Sequence, residues 1–271
     1  MSPSTSSGTD SEELRIGVFD SGLGGLTVVQ SISKIIKGAE LFYIADTQNA
    51  PYGDKTTAQI LQYSLDITQY FIKNHQIDAL VVACNTATSA AIKVLREKYP
   101  TLIIVGTEPA VKPAIEQTKT AKVGVLATPA TLRGDKYQVL VENLANIKEV
   151  ELFEQACPGL VEHIENGTLE NEESILLLEA WLSPMKKANV DTIVLGCTHY
   201  PLASKIIKEI MQTDIILLDS SKAIAQRLLT LLLEIGHKNE GELYSRFYTT
   251  GSIDKNFVER LIKNPIELIV L

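Results

Sequence analysis

From Arg15 onward, short apolar runs alternate with longer segments whose apolar residues recur at helical spacing. Ile16–Phe19, Leu41–Ile44, Leu80–Ala83, Ile103–Val105, Val123–Leu126, Ile193–Leu195, Ile215–Leu218 and Ile266–Val270 predict strands. These runs are nearly continuous rather than alternating, which predicts strands buried on both faces, as in a parallel sheet flanked by helices. Between them, Ile60, Ser64, Ile67 and Phe71 fall on one helical face, as do Ile224, Leu228, Leu231 and Ile235. Alternating strand and helix predict βαβ units and an α/β fold with mostly parallel sheets.

Two pairs of segments read as copies of one another. Leu80-Val81-Val82-Ala83-Cys84-Asn85-Thr86 matches Thr192-Ile193-Val194-Leu195-Gly196-Cys197-Thr198-His199 at a spacing of 113 residues, and Ile16-Gly17-Val18-Phe19-Asp20-Ser21 matches Val123-Gly124-Val125-Leu126-Ala127-Thr128 at 107. The repetition predicts two similar α/β domains related by a pseudo-twofold. Glu108-Pro109-Ala110 reads as the crossover, and Asp219-Ser220 as the start of a return to the first half. The predicted division is a first domain of residues 14–107 plus 219–271 and a second of 108–218. Residues 1–13, rich in Ser, Thr, Asp and Glu, are expected to be a disordered tail.

Composition narrows the class. A chain of 271 residues with 45% hydrophobic and 21% charged residues matches a globular enzyme. A net charge of −8 argues against a nucleic-acid partner. No apolar stretch is long enough to span a membrane. Three cysteines and no apolar leader predict a reduced, cytoplasmic protein without a disulfide framework.

Each repeated cysteine is expected at the carboxyl end of a strand, where open α/β sheets place ligands. The helices predicted to follow, Ala87–Lys98 and Pro201–Met211, would direct their positive ends at the sulfur, which favours thiolate. Cys84 and Cys197 are therefore the candidate reactive thiols, and the two related halves would assemble one site. Cys157, before Pro158-Gly159, has no such setting and reads as structural. No Cys-x-x-Cys or His-x-x-x-His pair is present, so a metal is not expected.

Asp20-Ser21-Gly22-Leu23-Gly24-Gly25 lacks the G-x-G-x-x-G dinucleotide pattern. It reads instead as a tight turn whose N–H groups, with Ser21, bind an anion at a helix N-terminus. Asp20 is either a carboxylate beside the ligand or a helix cap. Pro51-Tyr52-Gly53 is turn chemistry, and His199 can assist proton transfer at Cys197.

Taken together, Asp20-Ser21-Gly22-Leu23-Gly24-Gly25, Pro51-Tyr52-Gly53, Ala83-Cys84-Asn85-Thr86-Ala87-Thr88 and Gly196-Cys197-Thr198-His199-Tyr200-Pro201-Leu202 resemble the signature motifs of the glutamate racemases. The resemblance runs from about Ile16 to the C-terminus. It implies a cofactor-independent racemase whose active site lies in the cleft between two α/β domains, supplying D-glutamate for peptidoglycan. It makes Cys84 and Cys197 the acid and base, with Asp20, Glu165 and His199 assisting. Expected substrate contacts are Asp20, Ser21, Pro51, Tyr52, Gly53, Asn85, Thr86, Thr198 and His199. Thr128, the counterpart of Ser21 in the copied segment, is counted with them. Asp46 matches a further acidic position lining the site, and a homodimer is the family expectation. Asn49 and Gly134 depart from the pattern, standing where arginine and serine are frequent.

Inverting an α-carbon requires a proton to leave one face and another to arrive at the opposite face, so one thiolate and one thiol suffice. A carboxylate near a thiol raises its pKa, which casts Asp20 and Glu165 as proton acceptors or positioners. The rival readings are an aspartate racemase of the same superfamily and a non-catalytic protein that binds an acidic metabolite. His199 after the second Cys-Thr favours glutamate over aspartate.

Overall fold

The apolar runs of the sequence become two parallel sheets. The computed structural model describes residues 14–145, 149–212, 214–253, 255–262 and 267–271, so the expected tail and Ile266 lie outside the described residues. Strands β1 (Leu14–Asp20), β2 (Ala39–Ala45), β3 (Ala79–Val82), β4 (Ile103–Gly106), β9 (Leu243–Thr249) and β10 (Leu268–Val270) form a sheet in the order β10-β9-β2-β1-β3-β4. Strands β5 (Lys122–Ala127), β6 (Glu151–Ala156), β7 (Thr192–Gly196) and β8 (Ile216–Leu218) form the other in the order β6-β5-β7-β8. Every pairing in both sheets is parallel.

The order β2-β1-β3-β4 recurs as β6-β5-β7-β8. The copied segments of the sequence therefore hold equivalent places, with β1 matching β5 and β3 matching β7. Cys84 and Cys197 both follow a strand that flanks the first strand of its half.

Successive residues of each run feed different cores, which is why the runs are uninterrupted. Ile16, Val18, Leu41 and Val81 pack with Leu26, Ile32 and Leu228 on one face of the larger sheet. Phe19, Phe42, Leu80 and Val82 pack with Phe71 and Leu95 on the other. In the smaller sheet, Val123, Val125 and Val194 share one core, and Leu126, Ile193 and Leu195 share the other. The helix Thr57–His75 buries Ile60, Ser64, Ile67 and Phe71 as expected, and a capping box of Thr56 and Gln59 starts it.

Three features differ from the sequence expectation. Strand β6 is a sheet edge with every residue at least partly exposed, so it carries no apolar run. In β9, only Phe247–Thr249 has β10 on its outer side. Its first half behaves as an edge, with Tyr244 and Arg246 exposed. The helix Ser221–Glu234 turns Ile224, Ala225, Leu228 and Leu232 inward and leaves Ile235, just past its end, 60% exposed.

Leu228 is fully buried and Leu176 is 57% exposed, each on a helix. Leu228→Ala is expected to lower the unfolding free energy by about 2–5 kcal/mol. Leu176→Ala should change it by less than about 0.5 kcal/mol. Urea titration of both variants checks the pair.

Candidate active site

Loops at the carboxyl ends of both sheets converge on one pocket. Its walls include Ser21, Pro51, Tyr52, Gly53, Cys84, Asn85 and Thr86 from the larger-sheet side, and Thr128, Cys197, Thr198 and His199 from the smaller-sheet side. All the expected substrate contacts except Asp20 therefore line one space. The space these walls leave for the centre of a water-sized sphere is about 30 Å³. A larger cavity of about 650 Å³, bordered by Arg96, Glu108, Lys136 and Arg227, contains none of these residues.

Cys84 and Cys197 hold equivalent strand-end positions but have different partners. Cys84 caps the helix Asn85–Lys98, its Sγ accepting from the Ala87 N–H at 3.4 Å, and it lies 3.8 Å from Ser21 Oγ. The helix thus starts two residues earlier than the sequence suggested. Burial and the nearby Asp20 carboxylate push the Cys84 thiol pKa well up, outweighing the Ala87 amide. These surroundings favour the protonated thiol over the thiolate at Cys84. The helix predicted after Cys197 begins only at Ser204, behind a 3-10 turn over Tyr200–Ala203 that contains Pro201. Cys197 therefore caps no helix. Its Sγ instead faces His199 Nδ1 at 3.8 Å.

His199 is 2% exposed, and its Nε2 lies 2.7 Å from Glu165 Oε1 and 3.0 Å from the Gly24 N. One ring nitrogen cannot both donate and accept. The shorter contact, to a carboxylate, assigns the Nε2 proton to the Glu165 bond. Burial alone would lower the His199 pKa, but hydrogen bonds to Cys197 and Glu165 raise it well above the usual histidine range. Glu165 is affected in the reverse sense. Desolvation would raise its pKa, but His199 and the Leu23 N–H, which donates to Oε1 at 2.9 Å, bring it below the ordinary value.

The turn from Asp20 to Gly25 does not leave its N–H groups open to a ligand, contrary to the sequence reading. The amides of Gly22 and Gly25 donate to Asp20 Oδ2 at 3.2 and 3.0 Å, Leu23 donates to Glu165, and Gly24 abuts the His199 ring. Asp20 is fully buried, accepts from Thr198 Oγ1 at 3.3 Å, and lies behind the pocket wall. Both readings of Asp20 are thus modified: it organises the turn and ties it to Thr198. The glycines here serve close approach. A Cβ on Gly24 would sit 2.4 Å from His199 Nδ1 and 2.7 Å from its backbone N, and one on Gly22 would sit 2.2 Å from Glu165 Oε1.

The sequence pattern of the Asp/Glu/hydantoin racemases matches residues 16–228. A curated glutamate racemase of Sulfurovum is 59% identical over 249 residues, covering 92% of this chain and 94% of that protein. Among solved structures, a glutamate racemase isoform of Bacillus anthracis superposes with a TM-score of 0.85 at 31% identity, covering 96% of this chain and 98% of its own. A glutamate racemase of Francisella tularensis, solved with D-glutamate, gives 0.81 at 27% identity, covering 96% and 97%. This chain belongs to the glutamate racemases.

Several family expectations change on this geometry. Asp46 does not line the pocket. It is buried beneath Tyr52, whose hydroxyl donates to Oδ2 at 2.5 Å, and Asn49 donates to both carboxylate oxygens at 3.0 and 3.1 Å. Asn49, in place of the family's frequent arginine, is thus a partner of Asp46. At Gly134 a Cβ would meet Ser89 Oγ at 2.0 Å, so a serine there would require the Ser89 side chain to shift. Cys157 lines the pocket together with Asp54, Pro129, Pro158, Gly159, Val161 and Glu162, none of them expected as contacts. Only Cys-Pro-Gly, a strand-end turn in the position equivalent to Asp46 on β2, could have signalled this. Thr131 Oγ1 lies 2.9 Å from Thr128 Oγ1 and 3.4 Å from Thr86 Oγ1, so three hydroxyls join the two walls. Among the described residues, no cluster of three or more His, Cys, Asp or Glu could hold a metal, and no helix is long and apolar enough to cross a membrane.

The Glu165–His199 pair generates a two-sided pH dependence of stability. A lowered carboxylate pKa contributes stability above about pH 4.5 that is lost as pH falls through the folded value. A raised histidine pKa contributes below about pH 6.5 and is lost as pH rises through its folded value. The stability difference between the parent and Glu165→Gln is therefore expected to be greatest between these limits and to shrink on both sides. Denaturant titrations across pH check it. Gly24→Ala, which drives a Cβ into backbone, is expected to cost about 1–3 kcal/mol, read in the same titrations.

Proposed function

We propose that this chain interconverts L- and D-glutamate without a cofactor, using Cys84 and Cys197 as acid and base on opposite faces of the α-carbon. One observation carries this reading: two cysteines from equivalent places in two sheets line one pocket, each with its own proton partner. Cys84, whose burial beside Asp20 favours the thiol, is suited to donate a proton. Cys197 faces an imidazole whose far nitrogen is bonded to a carboxylate, so a proton leaving or returning to Sγ has an adjacent carrier. In one direction Cys197 removes the α-proton while Cys84 supplies one; in the other the roles reverse. By resemblance to the family, Cys84 takes the proton from D-glutamate and Cys197 from L-glutamate.

The substrate's two carboxylates would be held by neutral donors. Ser21, Thr86, Thr128, Thr198, Asn85 and the Tyr52–Gly53 wall are available, and the pocket walls contain no lysine or arginine. Such fixed donors also stabilise charge that develops at the α-carbon. The D-glutamate held by the Francisella relative supports this choice of substrate. Sheet membership supports two domains, residues 14–107 with 219–271 and residues 108–218. Family membership supports action in the cytoplasm as a homodimer that provides D-glutamate for peptidoglycan.

Circular dichroism of L- or D-glutamate with purified protein and no additive tests the activity, which is expected to persist after dialysis against a chelator. Cys84→Ala and Cys197→Ala should each lower turnover by at least about 10²–10⁴-fold, while Cys157→Ala leaves it largely intact. Cys84→Ser and Cys197→Ser should show opposite enantiomer preferences in elimination from a glutamate analogue bearing a β-leaving group. Equal preferences, or full activity in either alanine variant, would refute the two-base assignment.

A further inference from the structure

The segment after β9 is fastened to the segment after β2. Thr250 Oγ1 donates to Asp46 Oδ1 at 2.7 Å and accepts from the Gln48 N–H at 3.1 Å. The hydroxyls of Thr47 and Thr249 meet at 2.8 Å, and the Thr250 N–H donates to the Ala45 carbonyl at 3.1 Å. Gly251 is seated so closely that a Cβ there would lie 3.1 Å from the Gln48 N. Through the other carboxylate oxygen, Asp46 accepts from Tyr52 at 2.5 Å. Tyr52 and its neighbours Pro51 and Gly53 then form a pocket wall. An unbroken path thus runs from Thr250 through Asp46 to that wall. Its far end lies beyond residues 16–228, the part that matches the family pattern.

We propose that Thr250 is a positioning residue for glutamate, acting through Asp46 to hold the Pro51–Gly53 wall at the distance the substrate requires. The inference rests on the functional reading above. Asp46 is 1% exposed, and without Thr250 its Oδ1 keeps only the Asn49 donor, which also bonds Oδ2, so the weakened carboxylate resettles toward Asn49 and Tyr52. Tyr52 shares that carboxylate, so the wall moves with it. The cysteines and His199 are not on the path, so the effect falls on binding rather than on proton transfer.

The test uses the full chain with Thr250→Val, which keeps the shape and removes the donor, and Thr250→Ser, which restores the donor. D-glutamate binding is measured by calorimetry and turnover by circular dichroism. Thr250→Val is expected to raise KM and the D-glutamate Kd about 10-fold, the scale of one lost hydrogen bond to a charged group. Its kcat should stay within about threefold of the parent, and Thr250→Ser should bind like the parent. Tyr52→Phe should raise Kd as well, and the double variant should be less than additive because both act on one carboxylate. An unchanged Kd in Thr250→Val, an equal rise in the valine and serine variants, or full additivity with Tyr52→Phe would overturn the proposal. A parent that binds D-glutamate without racemising it would refute the functional reading instead.

Discussion

The contact between the Asp20–Gly25 turn and the Glu165–His199 pair is the constraint on which the site depends. It joins a loop of the larger sheet to a helix and a strand-end loop of the smaller one. A buried imidazole meets a half-buried carboxylate, and the Leu23 N–H of the opposing turn donates to that carboxylate. Such a pair, largely shielded from water on the imidazole side, depends on its remaining partners being in place. The missing side chains at Gly22 and Gly24 are what let the turn come close enough. Asp20 adds a second tie to the same interface through Thr198, so the residue after Cys197 is registered against the strand that leads toward Ser21.

From this constraint follows the asymmetry of the two thiols. The repeated topology places Cys84 and Cys197 in equivalent positions, yet only Cys84 starts a helix directly. Its sulfur accepts one amide and is otherwise desolvated beside a carboxylate, which favours the protonated form. Cys197 has a histidine with a raised pKa as its neighbour. On the two-base reading proposed above, one acid and one base needed at the same moment would be served by two environments that differ in this way. A perfect internal repeat would supply two thiols of equal poise.

Recognition in this pocket relies on geometry more than on net charge. Its ionisable lining consists of Tyr52, Asp54, Glu162, His199 and the thiols, so on the proposed reading a dicarboxylate would meet hydroxyl, amide and backbone donors. Neutral donors discriminate by position, because each must be aimed before the ligand arrives. The Thr86–Thr128–Thr131 hydroxyls and the Asp46 bonds to Tyr52 and Thr250 provide that aim. Much of the hydrogen bonding around the site therefore orients groups that touch the pocket, or groups one shell behind them.

The sequence by itself determined the α/β class, the parallel sheets and their internal repetition, since continuous apolar runs arise only where both faces of a strand are covered. It also pointed to Cys84, Cys197 and most of the residues that line the pocket, because these residues sit at strand ends where local pattern predicts position. Strands β6 and β9 escaped it, since an edge strand needs no apolar run and its pairing is set by distant residues. Tertiary structure alone decided that the Gly22, Leu23 and Gly25 amides are taken by Asp20 and Glu165, that Asp46 lies under Tyr52, and that Cys157 reaches the pocket. Those outcomes join residues up to 204 positions apart, as in the Thr250–Asp46 bond. Local periodicity records which face a side chain prefers; only the folded chain decides which distant donor it meets there.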